Sequence, residues 1–128
     1  MAAEPRDDLE CNFWTMRTIN LEHNLPSLEE ARRRLLAQME AARRDGERVL
    51  KVVHGYGSSG SAGVLCVGIR KSLRLRVKEG KALCVVPGER FSTDANEARD
   101  LLQRHPSLRR DRDLNRQNPG ITLVELAS

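Results

Sequence analysis

A chain of 128 residues with 39% apolar, 3% aromatic and 31% charged side chains has the length of one domain, with a core built from Leu, Val, Ile and Ala. Its 22 basic and 18 acidic residues leave a formal net charge of +4. That bias is too mild to name a partner, and the signs are too well mixed for wholesale disorder. Three widely spaced cysteines, Cys11, Cys66 and Cys84, form no CxxC pair and exclude a zinc ribbon. No basic head leads into an apolar stretch and no run of ~18 apolar residues occurs, so neither a signal peptide nor a membrane span is expected, and the compartment expected is a reducing cytoplasm.

Residues 1–12 read as a polar, loose arm before one domain over 13–128. The run Trp14 to Leu21, rich in β-branched residues, predicts a first strand that stops before Pro26. Ser27 and Glu30 have capping-box spacing, and Leu28, Ala31, Leu35, Met39 and Ala42 follow as one apolar stripe of a helix that Gly46 ends. Val49 to His54 is a nearly continuous apolar run, as in strands buried on both faces. A glycine-rich loop follows, then a helix from near Ala62 to about Glu79 with Leu65, Ile69 and Leu73 stacked; Leu73, Leu75 and Val77 also alternate like a strand. Ala82 to Val86 predicts a third strand. Asp94 and Glu97 resemble a second capping box, opening a short helix to about Arg104, and polar, loop-like chain leads to a last strand, Ile121 to Leu126. The sum is a two-layer α/β domain, strand and helix alternating, with an insertion at about 91–118.

The loop VVHGYGSSGSAGVL concentrates the chemistry. Gly55, Gly57, Gly60 and Gly63 lie between a buried strand and a helix start, and Ser58, Ser59 and Ser61 add hydroxyl donors. Small residues let backbone amides approach a ligand, and the helix N-terminus adds unpaired N–H groups and partial positive charge, which suits a phosphate. The plainer alternative is a tight strand-to-helix turn. Gly55, Gly57 and Gly60 also spell GxGxxG, but the next strand ends in Val86 and Pro87 without the acidic residue a dinucleotide ribose needs. No GK[ST] follows, which excludes a Walker A loop.

The segment HGYGSSGSAGVLCVGIRKSL resembles the second signature of Smr (small MutS-related) domains, in which a strand ends in His-Gly-x-Gly before a helix. SLEEARRRLLAQM resembles the first helix of that family and GITLVEL its last strand. The resemblance implies a stand-alone, divergent member: a βαβαβ(α)β sandwich with helices on one face of a four-stranded mixed sheet, similar to the C-terminal domain of the bacterial third initiation factor. It also implies binding of DNA or RNA, and in several members nicking. Two places, the first motif and the second helix, depart from the family pattern. Asn20 stands where the first motif has Asp, and Glu22 where it has His, unless His23 serves; Cys66 occupies a place usually basic. Binding tolerates such changes more readily than cleavage does.

Hydrolysis would need an activated water and stabilisation of the developing charge. His54 is the candidate acid or base, with Glu22 or His23 as partner from the neighbouring strand; the alternatives are a His54 that caps its strand and solvated loop residues at 22 and 23. No metal ligand set is evident, and magnesium or manganese enters only with the nuclease reading. On the first helix Glu29–Arg33, Glu30–Arg34 and Glu40–Arg44 have i,i+4 spacing and suggest a solvated face. The second helix carries Arg70, Lys71, Arg74, Arg76 and Lys78 against Glu79 alone, and Arg70, Arg74 and Lys78 share a face suited to following a phosphate backbone. Phe13, Trp14, Tyr56 and Phe91 are the only aromatics, and Tyr56 is placed to stack on a base. Three functions stay open: nucleic-acid binding through the loop and basic helix, nicking with His54, and a protein-interaction module with an idle site. Oligomeric state stays open between monomer and weak homodimer.

Overall fold

The structure, a computed structural model, describes residues 16–23, 26–56 and 60–127, with the backbone alone at 60–62. The N-terminal arm with Cys11, the start of the expected first strand with Phe13 and Trp14, and the loop residues Gly57, Ser58 and Ser59 lie outside the described residues. The elements are β1 (Met16–Asn20), α1 (Leu28–Arg44), β2 (Val49–Val53), α2 (Gly60–Lys78), β3 (Ala82–Pro87), α3 (Asn96–Arg104) and β4 (Ile121–Leu126), with 3-10 turns at Gly88–Arg90 and Pro106–Arg110.

Helix α1 forms where the stripe and cap agree. The Ser27 hydroxyl accepts from Glu30 N at 3.1 Å, and Ala31, Leu35, Met39 and Ala42 are all buried. At its end Glu47 N donates to Ala42 O and Gly46 N to Arg43 O, the paired bonds of a glycine-closed helix. Helix α2 ends the same way, with Lys81 N on Arg76 O and Gly80 N on Val77 O. The strand-like alternation of Leu73, Leu75 and Val77 therefore gives way to helix, Leu73 facing the core and Leu75 43% exposed.

The sheet is mixed, in the order β1-β2-β4-β3. β1 runs parallel to β2, while β4 inserts antiparallel between β2 and β3. The C-terminal ends of β1, β2 and β3 and the start of β4 therefore meet at one end of the sheet. Helices α1 and α2 cover one face over a core that includes Ile19, Leu50, Val52, Leu65, Ile69 and Val124. These form the two expected layers.

The insertion contains the short helix expected in it, but the stretch after Arg104 is more than the polar loop foreseen. It has a core of its own, in which Phe91, Ala98, Leu101, Leu102 and Leu108 pack on Val49, Val86 and Leu123 across the opposite face. All six residues of β4 are buried in consequence, which obscures their alternation. The Asp94–Glu97 capping box does not form. Helix α3 starts from Ala95 without a side-chain cap; Asp94 N is held by the Ser92 hydroxyl, and Glu97 pairs with Arg90 at 3.2 Å. On α1 the Glu30–Arg34 pair is present at 3.6 Å. Glu40 meets Arg43 at i+3 instead of Arg44, and no Glu29–Arg33 pair occurs. No helix among the described residues is long and apolar enough to cross a membrane.

Candidate functional site

The site is built where the strand ends meet. Leu21 N donates to Val53 O at 2.8 Å, extending the β1–β2 ladder one residue beyond β1 and setting Glu22 beside the exit of β2. His54 N and Gly55 N both donate to Gly120 O at 3.0 Å, so the chain entering β4 anchors the start of the glycine loop. Gly120 N is fixed in turn by the Asn118 side-chain oxygen at 2.9 Å. Gly55 has φ +78°, and a methyl group there would overlap the Glu22 carboxylate. The left-handed conformation is the feature that favours glycine here, since the Glu22 carboxylate, at the end of a flexible side chain, can move aside. Glu22, Gly55, Tyr56, Asn118 and Gly120 line a shallow cavity of about 370 Å³ at this end. Tyr56 stands 64% exposed at its rim.

His54 is fully buried, which sets it apart from the residue at the loop mouth foreseen above. Its Nδ1 lies 2.8 Å from Gly55 O and its Nε2 2.8 Å from Thr122 Oγ1. A carbonyl only accepts, so Nδ1 carries the proton. The Thr122 hydroxyl already accepts from Arg70 Nε at 2.9 Å, which leaves its own proton for His54 Nε2. Burial pushes the imidazole pKa below its ordinary value, more than the Gly55 hydrogen bond raises it. The ring is therefore neutral and fully engaged, and it braces the loop from beneath.

Arg70 also leaves the place expected for it on an exposed ridge. Its guanidinium turns inward, donating to both Glu89 oxygens at 3.0 and 2.8 Å and to the carbonyls of Pro119 and Ile121 at 3.1 Å each. With the Thr122 contact it ties α2 to the turn after β3 and to the entry of β4. Burial pushes the Glu89 carboxyl up, but the hydrogen bonds and charge of Arg70 outweigh this and hold it below its ordinary value. Lys71, Arg74 and Lys78, all exposed, make no ion pair or hydrogen bond among the described residues. They lead along α2 away from its first turn, which holds no acidic residue. Arg76, by contrast, is paired with Glu79 at 3.2 Å.

A family profile described as Smr domain matches residues 22–95. The chain belongs to the Smr family. No curated protein and no solved structure gave a match. In this Smr domain the matched part runs from Glu22 through the glycine loop and both large helices to Ala95. The later part, α3, the 106–118 segment and β4, completes the sheet and its second face.

Of the residues singled out in the sequence, Glu22, Gly55 and Tyr56 come together at the cavity. His23 is exposed, and its carbonyl accepts from Arg34 at 3.4 Å. Gly60, Ser61 and Gly63 fall in the first turn of α2. Phe91, counted among the stacking aromatics, is fully buried in the second core. Cys66 is a buried free thiol, raised in pKa by burial. Thr122, Gly120 and Lys51 were not anticipated as site residues. Only Lys51 left a trace in the sequence: a lone lysine in the apolar run VLKVV needs buried counter-charges if both faces of its strand are covered. Among the described residues no group of three His, Cys, Asp or Glu side chains could hold a metal ion, so no step is derived through one.

Proposed function

We propose that this Smr domain binds nucleic acid through its phosphate backbone, with one phosphate at the loop from Gly55 to Gly63 and the strand running along Lys71, Arg74 and Lys78. The observation that carries the reading is the pattern of pairing on α2. Arg70 and Arg76 are held by Glu89 and Glu79, whereas the three outward cations further along α2 have no partner among the described residues. Unpaired cations on a helix that starts from a glycine-rich loop form a surface for a polyanion. Tyr56, exposed at the same end, supplies a face for one base or sugar.

Binding is preferred to nicking because of His54. A proton carrier must reach the reacting atoms, and this ring is buried with both nitrogens engaged. The residue acts instead by positioning the loop. Glu22 is the one carboxylate at the cavity among the described residues.

The test is a titration of duplex DNA and of structured RNA at several salt concentrations, beside a nicking assay with and without magnesium or manganese. Salt-sensitive binding is expected, and Lys71→Ala with Arg74→Ala should reduce the log–log salt slope by about 2. No detectable binding at low salt, or an unchanged slope in the double variant, rejects the reading. Nicking that survives His54→Gln would show that chemistry is present and proceeds without that ring.

A further inference from the structure

The second face of the sheet is not covered evenly. Met16 and Thr18 of β1 and Lys51 and Val53 of β2 face a wall made by residues 106–113, and between them lies a cavity of about 720 Å³. That is within the range of ligand sites, roughly 300–1,000 Å³, and about twice the volume of the cavity at the glycine loop. Val53, Asn118 and Ile121 line both cavities. The larger one therefore adjoins the cavity at the start of the glycine loop.

Its polar groups are ordered. Lys51 Nζ donates to Asp111 Oδ1 at 2.7 Å and to Asp113 Oδ2 at 2.6 Å, with all three side chains at most 14% exposed. An ammonium has three hydrogens, so one N–H of Lys51 remains for a ligand. Asp113 is fixed further by Asn118, whose side-chain amide donates to it at 3.3 Å. Hydrogen bonding from Lys51 and Asn118 and the Lys51 charge hold its carboxyl below the ordinary value against the upward push of burial. Asp113 is thus an ionised acceptor at neutral pH, and the Asp111 carboxylate beside it is held by the same ammonium. Met16, Val53, Leu108 and Ile121 supply apolar walls, and Arg110 and Arg112 stand exposed at the rim.

We infer that this cavity, formed by β1, β2 and the 106–118 segment, is a pocket for one unpaired nucleobase with an exocyclic amine, cytosine above thymine. Apolar walls suit the faces of a planar ring and the polar cluster suits its edge. The carboxylates accept from the amine and the remaining Lys51 N–H donates to a ring carbonyl. Thymine would set a carbonyl oxygen against the carboxylates. Two carboxylates offset the single Lys51 charge, so the cluster does not suit a phosphate; the exposed Arg110 and Arg112 can take the attached backbone. The base comes either from the strand held at the glycine loop, in which case the inference rests on the binding reading above, or from a free nucleotide.

Fluorescence anisotropy with labelled oligo-dC, oligo-dT and a blunt duplex separates these cases, with unlabelled CMP titrated by calorimetry. Oligo-dC is expected to bind about tenfold or more tighter than oligo-dT, the worth of one well-paired base. Thr18→Trp fills the cavity from an exposed position on β1; it should bring oligo-dC to the oligo-dT level and leave duplex binding unchanged. Asp113→Asn should erase the same preference if the tryptophan variant proves unstable. Equal affinity for oligo-dC and oligo-dT in the wild type overturns the pocket, while salt-sensitive duplex binding would leave the backbone reading standing. CMP binding that Thr18→Trp abolishes, without binding of any strand, keeps the pocket as a free-nucleotide site and rejects the backbone reading. Absence of binding to every probe rejects both.

Discussion

The two ring nitrogens of His54 have different tasks: Nδ1–H holds the Gly55 carbonyl, and Nε2 receives the Thr122 hydroxyl that Arg70 has oriented. Protonation would put a second donor against that hydroxyl and a charge beside Arg70, in a buried place. Burial, the largest influence, accordingly holds the pKa below its ordinary value. The consequence for stability has a definite sign. The unfolded chain titrates near pH 6.5 and the folded one lower, so between those values the unfolded state binds more protons. This residue's contribution is therefore intact above about pH 7 and declines as the pH falls through the ordinary histidine range. The urea midpoint should drop on acidification from about pH 7 to 5, and His54→Gln should flatten part of that drop. His23 is exposed and His105 pairs with Glu125 at 2.8 Å, and both are the same in wild type and variant, so the difference between the two slopes reports His54. An identical pH slope in the two proteins would show that His54 is not held neutral.

Helix α3 depends on one carboxylate near the C-terminal end of β4. Glu125, 3% exposed, accepts from Arg104 at 2.7 Å and from His105 at 2.8 Å, and the Cys84 thiol lies 3.5 Å from it. Burial alone would push Glu125 up, but the hydrogen bonds and charges of Arg104 and His105 leave it below its ordinary value. Cys84 is pushed up to about 11 by burial first and by the Glu125 charge second, so it stays a thiol. Arg104→Ala removes a partner whose side chain is 48% exposed, so the loss is expected at only about 1–3 kcal/mol. Amide exchange over Ala98–Leu102 should quicken more than over α1, because α3 loses its anchor while the first core is untouched. Uniform quickening would show that α3 and the sheet unfold together. Elements of this kind differ in how far a sequence discloses them. Helix α1 was legible because stripe, cap and stop coincide, and β2 because five apolar-run residues precede a glycine turn. Helix α3 was expected, but its cap was misplaced, since Glu97 is engaged by Arg90 across the turn before it.

At the scale of the whole molecule, what the sequence concealed lies in contacts far apart along the chain. Thr122 reaches His54 across 68 positions and Glu89 reaches Arg70 across 19, distances over which periodicity carries no signal. Position of the glycine loop was readable from composition; the neutrality of its histidine was not, because that depends on β4 entering antiparallel beside β2. The insertion misled for a related reason. Its apolar residues Phe91, Ala98, Leu101, Leu102 and Leu108 are scattered among many charges, and they form a cover only when laid on the second face. That cover both buries Val49, Val86 and Leu123 and supplies the two counter-charges of Lys51. A chain in which residues 89–117 are replaced by a short Gly-Ser link would keep β4 but leave this face bare and a lysine in the sheet without partners. It is expected to lose cooperative thermal unfolding and fixed near-ultraviolet circular dichroism while retaining much of its far-ultraviolet signal. Restoring Lys51→Met in that background should recover part of the loss, because the unpaired charge goes while the bare apolar face remains. A shortened protein that unfolds as sharply as the full chain would mean that α1, α2 and the sheet suffice for folding, and that the insertion serves the cavity at 106–118 alone.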